Sequence, residues 1–245
     1  MSWFRKSLAA AAAVSALALA SAPAHAAGVS DNFEGYSNAT TLNFTGFTNL
    51  TVSSGSVDLI GTPNGYGLST PYGTGFVDLD GTTNAGGTLT TGVFSFNAGD
   101  VVSLDFDLSG NQRGGSADDF SFGIQTAGGN IVFNNLSITN IPLFGGTLNF
   151  GNFGTGPAVA SGFGTLSSSE AWEHYNLTFT AGNAGSLSAF VGTSSNDNVG
   201  PLLDNFSLSV GAVPEPSAWA LMLVGVGMVG GMARRRRSQA AVAAV

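Results

Sequence analysis

Short runs in which apolar and polar residues alternate one by one constrain the fold of this chain most. In residues 101–108 (VVSLDFDL), four apolar side chains fall on one face of an extended strand, and serine and aspartate fall on the other. A period of two is that of a β-strand with one buried side. Similar alternation occurs at 120–124, 175–179 and 187–191. The pattern predicts β-strands, and no convincing helical period competes with it between the two ends of the chain.

Clusters of glycine, asparagine and proline separate these runs and indicate turns. Further strand-like runs lie at 42–47, 50–52, 56–60, 76–79, 89–96 and 130–138. About ten short, closely spaced strands are typical of an all-β sandwich or barrel. One domain over residues 28–211 is the simplest organisation. The alternative is a low-complexity matrix segment, but most of the 18 phenylalanines occupy alternating runs, where they can be buried.

The N-terminus has the three parts of a secretory signal peptide. A basic start precedes an apolar run at 8–22 and a small-x-small site at 24–26. We expect signal peptidase to remove residues 1–26, so that the exported protein begins at Ala27. The alternative is an uncleaved membrane helix, which the short run followed by Pro23 disfavours.

The exported body is strongly acidic. Between Ala27 and Val213, one basic residue (Arg113) stands against fourteen acidic ones, a formal charge of −13. Nucleic acid is excluded as a partner because phosphate binding needs clustered Lys and Arg. Carboxylates suit Ca²⁺ outside the cytoplasm, although they also keep exported proteins soluble. The absence of cysteine excludes disulfides, thiol catalysis and cysteine-ligated zinc.

Residues 170–174 crowd three ionisable side chains, Glu170, Glu173 and His174. A glycosidase needs two carboxylates flanking the scissile bond, but these two lie close together beside a strand start. No G-x-S-x-G, H-E-x-x-H or phosphate-binding loop motif is present. The sequence therefore predicts a protein that is not an enzyme, with a glycan-active enzyme as the least favoured alternative. Asp118 and Asp119, near Arg113, either face a ligand or form a solvated loop.

The C-terminal segment has three consecutive parts. A Pro-Glu-Pro tripeptide precedes an apolar stretch at 217–233, and four arginines follow it. Seventeen residues are the lower limit for spanning a membrane core of about 30 Å. By the positive-inside rule, the arginines and the tail 238–245 stay cytoplasmic, and the body faces the periplasm. The residues concerned are Pro214, Glu215, Pro216, Trp219, Arg234, Arg235, Arg236 and Arg237.

In order, spacing and position, residues 213–237 resemble the PEP-CTERM sorting signal of Gram-negative bacteria. The resemblance implies that an exosortase, a membrane-embedded cysteine-type transpeptidase, recognises the tail during transient anchoring in the inner membrane. Cleavage near Pro-Glu-Pro would then release the protein towards the cell surface and its exopolysaccharide. Two prolines keep the peptide extended, as a protease substrate should be. A retained membrane anchor is the alternative.

Segments of the body, including 53–61 (SSGSVDLIG), 76–81 (FVDLDG) and 199–209 (VGPLLDNFSLS), resemble secreted bacterial jelly-roll domains. These are similar to galactose-binding-like and carbohydrate-binding modules. The resemblance implies a jelly-roll β-sandwich and polysaccharide binding. It also implies a structural Ca²⁺ site where an acidic residue near the first strand meets an Asp of the last strand, here Glu34 and Asp204.

Strand parity bears on Asp204 independently of the resemblance. An uninterrupted strand would place Asp204 on the apolar face with Leu202, Phe206, Leu208 and Val210. A carboxylate there must be paired, hydrogen-bonded or bound to a metal. The alternative is an Asp at a frayed strand start that accepts backbone N–H groups.

Exposed aromatic residues are the candidates for sugar contacts, since pyranose rings stack on aromatic faces. Tyr66 and Tyr72 lie in the Gly- and Pro-rich loop 64–73, and Trp172 precedes a strand with parity opposite to its apolar residues. Packing at the core's edge is the alternative for Trp172. We therefore predict an exported polysaccharide-binding protein of the cell surface or biofilm matrix. A structural matrix protein without a discrete ligand is the alternative.

Overall fold

The computed structural model describes residues 27–36, 39–128, 131–139, 147–150, 159–211 and 222–229. Ala26–Ala212 form one compact unit. Its strands are β1 (Ala27–Asp31), β2 (Leu50–Ser54), β3 (Asp58–Gly61), β4 (Gly75–Asp78), β5 (Thr88–Thr91), β6 (Phe94–Phe96), β7 (Val101–Ser109), β8 (Asp118–Gly128), β9 (Phe133–Thr139), β10 (Thr147–Phe150), β11 (Val159–Leu166), β12 (Glu173–Ala181), β13 (Gly185–Gly192) and β14 (Leu202–Gly211).

The strands form two antiparallel sheets. The first has the order β3-β4-β14-β7-β12-β9, with β1 also paired to β14. The second has the order β10-β11-β8-β13-β5-β2, with β6 also paired to β13. From β7 onwards the chain mostly crosses from one sheet to the other between consecutive strands. The predicted all-β sandwich is confirmed.

Alternation along β7 and β12 builds both the core and the surface of the first sheet. Leu104 and Phe106 point inwards and are fully buried, whereas Asp105 between them points outwards. Phe106 stacks on Tyr175 of β12 at 5.3 Å and meets Phe122 of β8 edge-on at 5.0 Å. Burying each such side chain contributes about 1.5–3 kcal/mol, so these rings hold the two sheets together.

Two predicted strands differ from the structure. Residues 42–47 form a loop rather than a strand, and Phe44 packs edge-on against Tyr36 at 5.4 Å and Phe47 at 4.8 Å. The apolar residues of this segment are explained by packing of aromatic rings. The segment has no partner strand along its length. The run 89–96 is interrupted and yields two short strands, β5 and β6.

Strand β11 (VASGFGTL) was not predicted because glycines replace apolar residues on its inner side. A Cβ on Gly162 would lie 2.5 Å from the Phe122 ring, which fills that space. The glycine therefore permits close packing that the hydrophobic pattern does not reveal.

Beyond the sandwich, residues 222–229 form a helix, α1. Within the described part of the chain, no helix is long and apolar enough to cross a membrane. Only residues 222–229 of the predicted span 217–233 are described. The predicted signal peptide 1–26, the residues Pro214, Glu215, Pro216, Trp219 and Arg234–Arg237, and the tail 238–245 lie outside the described residues.

Candidate functional site

The loop 62–74, between β3 and β4, folds over the outer face of the first sheet. Its Leu68 is buried in a small apolar cluster with Ile60, Phe76 and Leu202. This cluster is separate from the main core because these residues point away from the second sheet. These apolar residues therefore fix the loop on the outer face of the first sheet, where the alternating pattern of the strands predicts polar residues.

Polar contacts set the shape of this loop. Asn64 accepts the backbone N–H groups of Tyr66 and Leu68 at 3.0 and 3.2 Å, and its amide donates to the carbonyl of Leu68 at 2.9 Å. Gln112 accepts the backbone N–H of Ser69 at 3.0 Å and donates to the Ser69 carbonyl at 2.8 Å. The loop is thus tied both to itself and to the segment after β7.

The loop brings two of the three predicted aromatic residues together. Trp172 is half-buried, and its indole N–H donates to the carbonyl of Ser69 at 3.0 Å. Its ring lies edge-on to Tyr72 at 5.8 Å and to Phe76 at 6.0 Å. Tyr72 is 44% exposed. Tyr66, 46% exposed, lies instead with its ring 6.0 Å from the Arg113 guanidinium carbon.

Beside Trp172 lies an open depression of about 420 Å³. It is lined by Ser109, Gln112, Gly114, Ser168, Ser169, Glu170, Ala171 and Trp172. Small-molecule sites combine an aromatic wall with a few polar groups that fix orientation, in volumes of roughly 300–1,000 Å³. The depression has this composition, and the loop 62–74 holds its aromatic wall in place.

A row of polar side chains covers the neighbouring outer face of the first sheet. The His174 ring contacts Asp107 through Nδ1 at 3.0 Å and Asp105 through Nε2 at 3.4 Å. The amide of Asn205 donates to Asp107 at 2.8 Å, and that of Asn176 donates to Asp105 at 2.6 Å. Of these residues only His174 was considered in the sequence, although the polar half of the alternating pattern in β7 and β12 also marks Asp105, Asp107 and Asn176; Asn205 belongs to β14.

The predicted side of Asp204 is wrong because β14 contains a β-bulge. Its pairing with β7 shifts between Asp204 and Ser207, and Asn205 has a φ of 50°. Leu203 still faces the core, whereas Asp204 pairs with Asp107 on the outer face. The extra residue returns Phe206 to the core, so Asp204 and Phe206 lie on opposite sides.

Asp204 is nevertheless buried, with 1% of its surface exposed, because the loop 62–74 covers it. Its carboxylate accepts the Thr70 hydroxyl and the Asn205 backbone N–H, both at 2.7 Å. Burial, with a smaller contribution from the charges of Glu34 and Asp107, raises the pKa of Asp204 to about 6, against the effect of these two hydrogen bonds. The site therefore disfavours the ionised form.

Glu34 is held as an anion by hydrogen bonds. Its Oε1 accepts the backbone N–H groups of Thr74 and Gly75 at 2.6 and 2.7 Å, and its Oε2 accepts the Thr74 hydroxyl at 2.8 Å. Burial works against ionisation, but the bonds from Gly75 and Thr74 outweigh it and lower the pKa of Glu34.

Glu34 and Asp204 supply carboxylate oxygens of the type that Ca²⁺ prefers. Oε2 of Glu34 accepts the Thr74 hydroxyl and Oδ2 of Asp204 accepts the Thr70 hydroxyl. Both hydroxyls can rotate, and hydroxyl oxygens can themselves bind the ion. The other two oxygens accept backbone N–H groups. No group of three or more acidic or histidine side chains is arranged for a metal among the described residues. Backbone carbonyls or water would complete such a site.

The acids near Arg113 have structural roles. Arg113 forms its ion pair with the buried Asp78. Asp118 is also buried and accepts the Asn111 amide at 2.7 Å and the Ser195 hydroxyl at 3.1 Å. These contacts join the segments at one end of the sandwich. They account for Asp118 without a ligand, while Asp119 is exposed.

The crowded Glu170, Glu173 and His174 do not converge on one point. Glu173 pairs with Leu108 and His174 with Asp107, so the two neighbours project to opposite sides of β12. Glu170 accepts the Ser167 hydroxyl at 3.1 Å and lines the depression beside Trp172. The three side chains therefore do not have the mutual geometry of an acid–base pair.

Comparison with known proteins identifies the C-terminal segment. Residues 212–237 match the family model of the PEP-CTERM protein-sorting motif. The chain carries a PEP-CTERM motif. This motif indicates an exported, surface-sorted protein and implies processing by an exosortase. A search of curated proteins found no match to the sequence.

Solved structures align with this chain at low identity and low TM-score. The CBM22-1 xylan-binding domain of Paenibacillus barcinonensis Xyn10C aligns over 72% of this chain and 96% of its own, with 13% identity and a TM-score of 0.42. The K1 adhesin domain of Porphyromonas gingivalis Lys-gingipain covers 77% and 99%, with 15% identity and a TM-score of 0.39. A family 11 carbohydrate-binding module of Clostridium thermocellum covers 72% and 96%, with 19% identity and a TM-score of 0.30. Likeness at this level does not extend to ligands.

Replacing Asp204 by Asn should flatten the pH dependence of stability. The pKa of Asp204 is raised from 3.8 to about 6 in the folded protein, so the unfolded chain loses the proton first. The free energy of unfolding of the wild type should therefore fall as the pH rises through this window. Asp204→Asn can keep the bond from the Asn205 N–H and can donate its own amide to the Thr70 hydroxyl. Its fall should be shallower but not absent, because burial also raises the pKa of Asp78, to about 7. Urea denaturation between pH 3.5 and 7, with chelator present, measures the difference, and parallel curves for the two proteins would contradict it.

Proposed function

We propose that this protein is exported, is not an enzyme, and binds polysaccharide at the cell surface or in the exopolysaccharide matrix. The observation that carries the proposal is the partly exposed Trp172–Tyr72 pair beside a depression lined by hydroxyl, amide and carboxylate groups. A pyranose ring presents both a face of C–H groups and a rim of hydroxyls. The aromatic edge and the polar lining match these two features.

The negative charge of this surface limits which kinds of polysaccharide can bind to it. Glu170 lines the depression, the charge of Asp107 acts on the Tyr72 hydroxyl, and the exported body carries a formal charge of −13. A uronic-acid or sulfated polymer would be repelled. The surface therefore suits an uncharged polysaccharide.

A non-catalytic role agrees with the side chains around the depression. Glu170 lies there, but its neighbour in sequence Glu173 projects inwards at the end of β12 and His174 contacts two aspartates. Glycoside hydrolysis needs a second carboxyl group at a defined distance across the bond. Binding of a polysaccharide in the depression does not require a pair of carboxyl groups.

Truncating Tyr72 or Trp172 to Ala should weaken retention by an uncharged polysaccharide about five- to thirty-fold. This corresponds to the loss of roughly 1–2 kcal/mol expected for a buried aromatic contact. Affinity gel electrophoresis against a panel of soluble neutral glycans and alginate measures the effect. Tyr72→Ala is the cleaner variant because Trp172 also packs against Phe76. Tyr66→Ala shows whether the surface extends along the loop to Arg113.

Leu42→Ala provides the control, because Leu42 is as exposed as Tyr72 and lies in a different loop. Its retention should equal that of the wild type. If no glycan in the panel retards the wild-type protein, polysaccharide binding is excluded and the matrix-protein alternative remains. If Tyr72→Ala and Trp172→Ala bind as the wild type does, the ligand lies elsewhere.

We further propose that the C-terminal segment anchors the protein only in transit through the inner membrane, facing the periplasm. A stable anchor needs the apolar stretch and its arginines but not Pro214-Glu215-Pro216, whereas a processing enzyme needs an extended substrate such as this tripeptide. Mass spectrometry of the protein from its native host should find a C-terminus near 214–216. A C-terminus at Val245 would show that the anchor is retained.

A structural Ca²⁺ ion between Glu34 and Asp204 is the third part of the proposal. The ion would offset the repulsion that Glu34 and Asp107 exert on the Asp204 carboxylate. Chelator should lower the Tm of the wild type, and added Ca²⁺ should restore it. At a free Ca²⁺ concentration 100-fold above its Kd, the ion would contribute about 2.7 kcal/mol. Glu34→Gln should abolish the response, and an unchanged wild-type Tm would rule out the ion.

A further inference from the structure

The outer face of the second sheet differs from that of the first. Its side chains alternate with the core residues of β8, β11 and β13, and Thr51, Ser53, Phe163 and Thr165 on it are exposed. The outward-facing residues are Thr51, Ser53, Thr88, Thr90, Ser121, Gly123, Gln125, Ser161, Phe163, Thr165, Ser188 and Phe190. Hydroxyl and amide groups therefore cover most of this face.

This hydroxyl face carries almost no charge. Among the described outward-facing residues of its strands, Asp119 at one end is the one ionisable group. The polar groups partly bond to one another, as Ser53 does with Thr90 at 2.7 Å and Gln125 with Ser188 at 3.1 Å. In a domain with a formal charge of −13, such a surface is neutral by comparison with the row of carboxylates on the first sheet.

Two phenylalanines interrupt the hydroxyl face. Phe163 on β11 is 39% exposed and pairs with Ser121, and Phe190 on β13 pairs with Gly123. Strand β8 lies between them, so they stand roughly 10 Å apart across the strands. Phe190 is half-buried and its pairing partner Gly123 is buried, so Phe163 is the more exposed of the two rings.

An open depression of about 410 Å³ adjoins Phe163. It is lined by Asp119, Phe120, Ser121, Phe163, Gly164, Thr193 and Ser194. Like the depression beside the half-buried Trp172, it joins an aromatic ring to hydroxyl groups and has the volume of a small-ligand site. Both depressions lie at the end of the sandwich where β7, β11 and β13 finish, and their aromatic rings are on opposite sides of it, Trp172 beside the outer cluster of the first sheet and Phe163 on the outer face of the second.

A second copy of this chain is a poor occupant for the hydroxyl face. Stable protein interfaces bury more than about 1,000 Å² around an apolar centre, whereas Phe163 and Phe190 are the large apolar residues among its described side chains. Two domains with a formal charge of −13 each would also repel. An uncharged chain of hydroxyl-bearing sugars avoids that repulsion and can exchange hydrogen bonds with Ser, Thr and Gln.

We propose that the hydroxyl face around Phe163 is a second polysaccharide-contacting surface, so that one protein molecule bridges two chains of an uncharged polysaccharide. The proposal rests on the function proposed above, because Trp172 and Tyr72 provide the first contact. With one contact on each outer side, the protein would cross-link the matrix rather than only adhere to it.

Cross-linking and binding are separable by experiment. A neutral glycan that retards the wild type in affinity gels is titrated with protein while light scattering is recorded. The wild type should give a scattering maximum at an intermediate ratio of protein to glycan. Phe163→Ala should lose most of this maximum yet remain retarded in the gel through Trp172 and Tyr72. Phe163→Tyr keeps an aromatic ring and should retain the maximum.

Several results would overturn the second surface. Wild-type scattering by Phe163→Ala, provided that its Tm equals that of the wild type, would show that Phe163 contacts no glycan. Retention without any scattering maximum in the wild type would show a single contact. Stronger retention by alginate than by neutral polymers would refute an uncharged ligand. Absence of retention by every glycan would instead remove the first contact, and with it the function on which this inference rests.

Discussion

Packing of inward-facing apolar side chains between two antiparallel sheets is the interaction on which the rest of the structure depends. The protein has no cysteine, so the layer around Phe106, Phe122 and Tyr175 has to hold the sheets together without a disulfide. Because side chains alternate along a strand, the same pairing of β7 with β12 that aligns these rings also aligns Asp105, Asp107 and His174 outside. The core and the candidate site are therefore the inner and outer faces of the same paired strands.

A single extra residue in β14 changes what the last strand contributes. The bulge at Asn205 lets Leu203 and Phe206 both enter the core while Asp204 joins the outer face. Asp204 is then covered by the loop 62–74, and a surface carboxylate becomes a buried one with a raised pKa. The loop that buries Asp204 is also the one that positions Tyr72 against Trp172.

The alternation of apolar and polar residues correctly predicted the features that depend on residues close together in the sequence. The all-β class, the strands around 101–108 and 175–179, and the sorting motif all follow from residues close together in the chain. The loop 42–47, the glycine-containing β11 and the side of Asp204 depend on partners distant in sequence. A left-handed Asn205 or a Phe122 ring above Gly162 leaves no signal in a pattern of apolar and polar residues. The pairing of Tyr72 with Trp172, 100 positions apart, is likewise visible only in the fold.

The most direct test of polysaccharide binding uses tryptophan fluorescence. A protein that lacks the predicted signal peptide and sorting segment has Trp172 as its single tryptophan. Titration with a neutral glycan that retains the protein should shift the emission of this indole in a saturable manner, since the glycan would replace water at its exposed edge. Emission that stays constant at glycan concentrations where the protein is fully retained would place the ligand away from Trp172 and contradict the account.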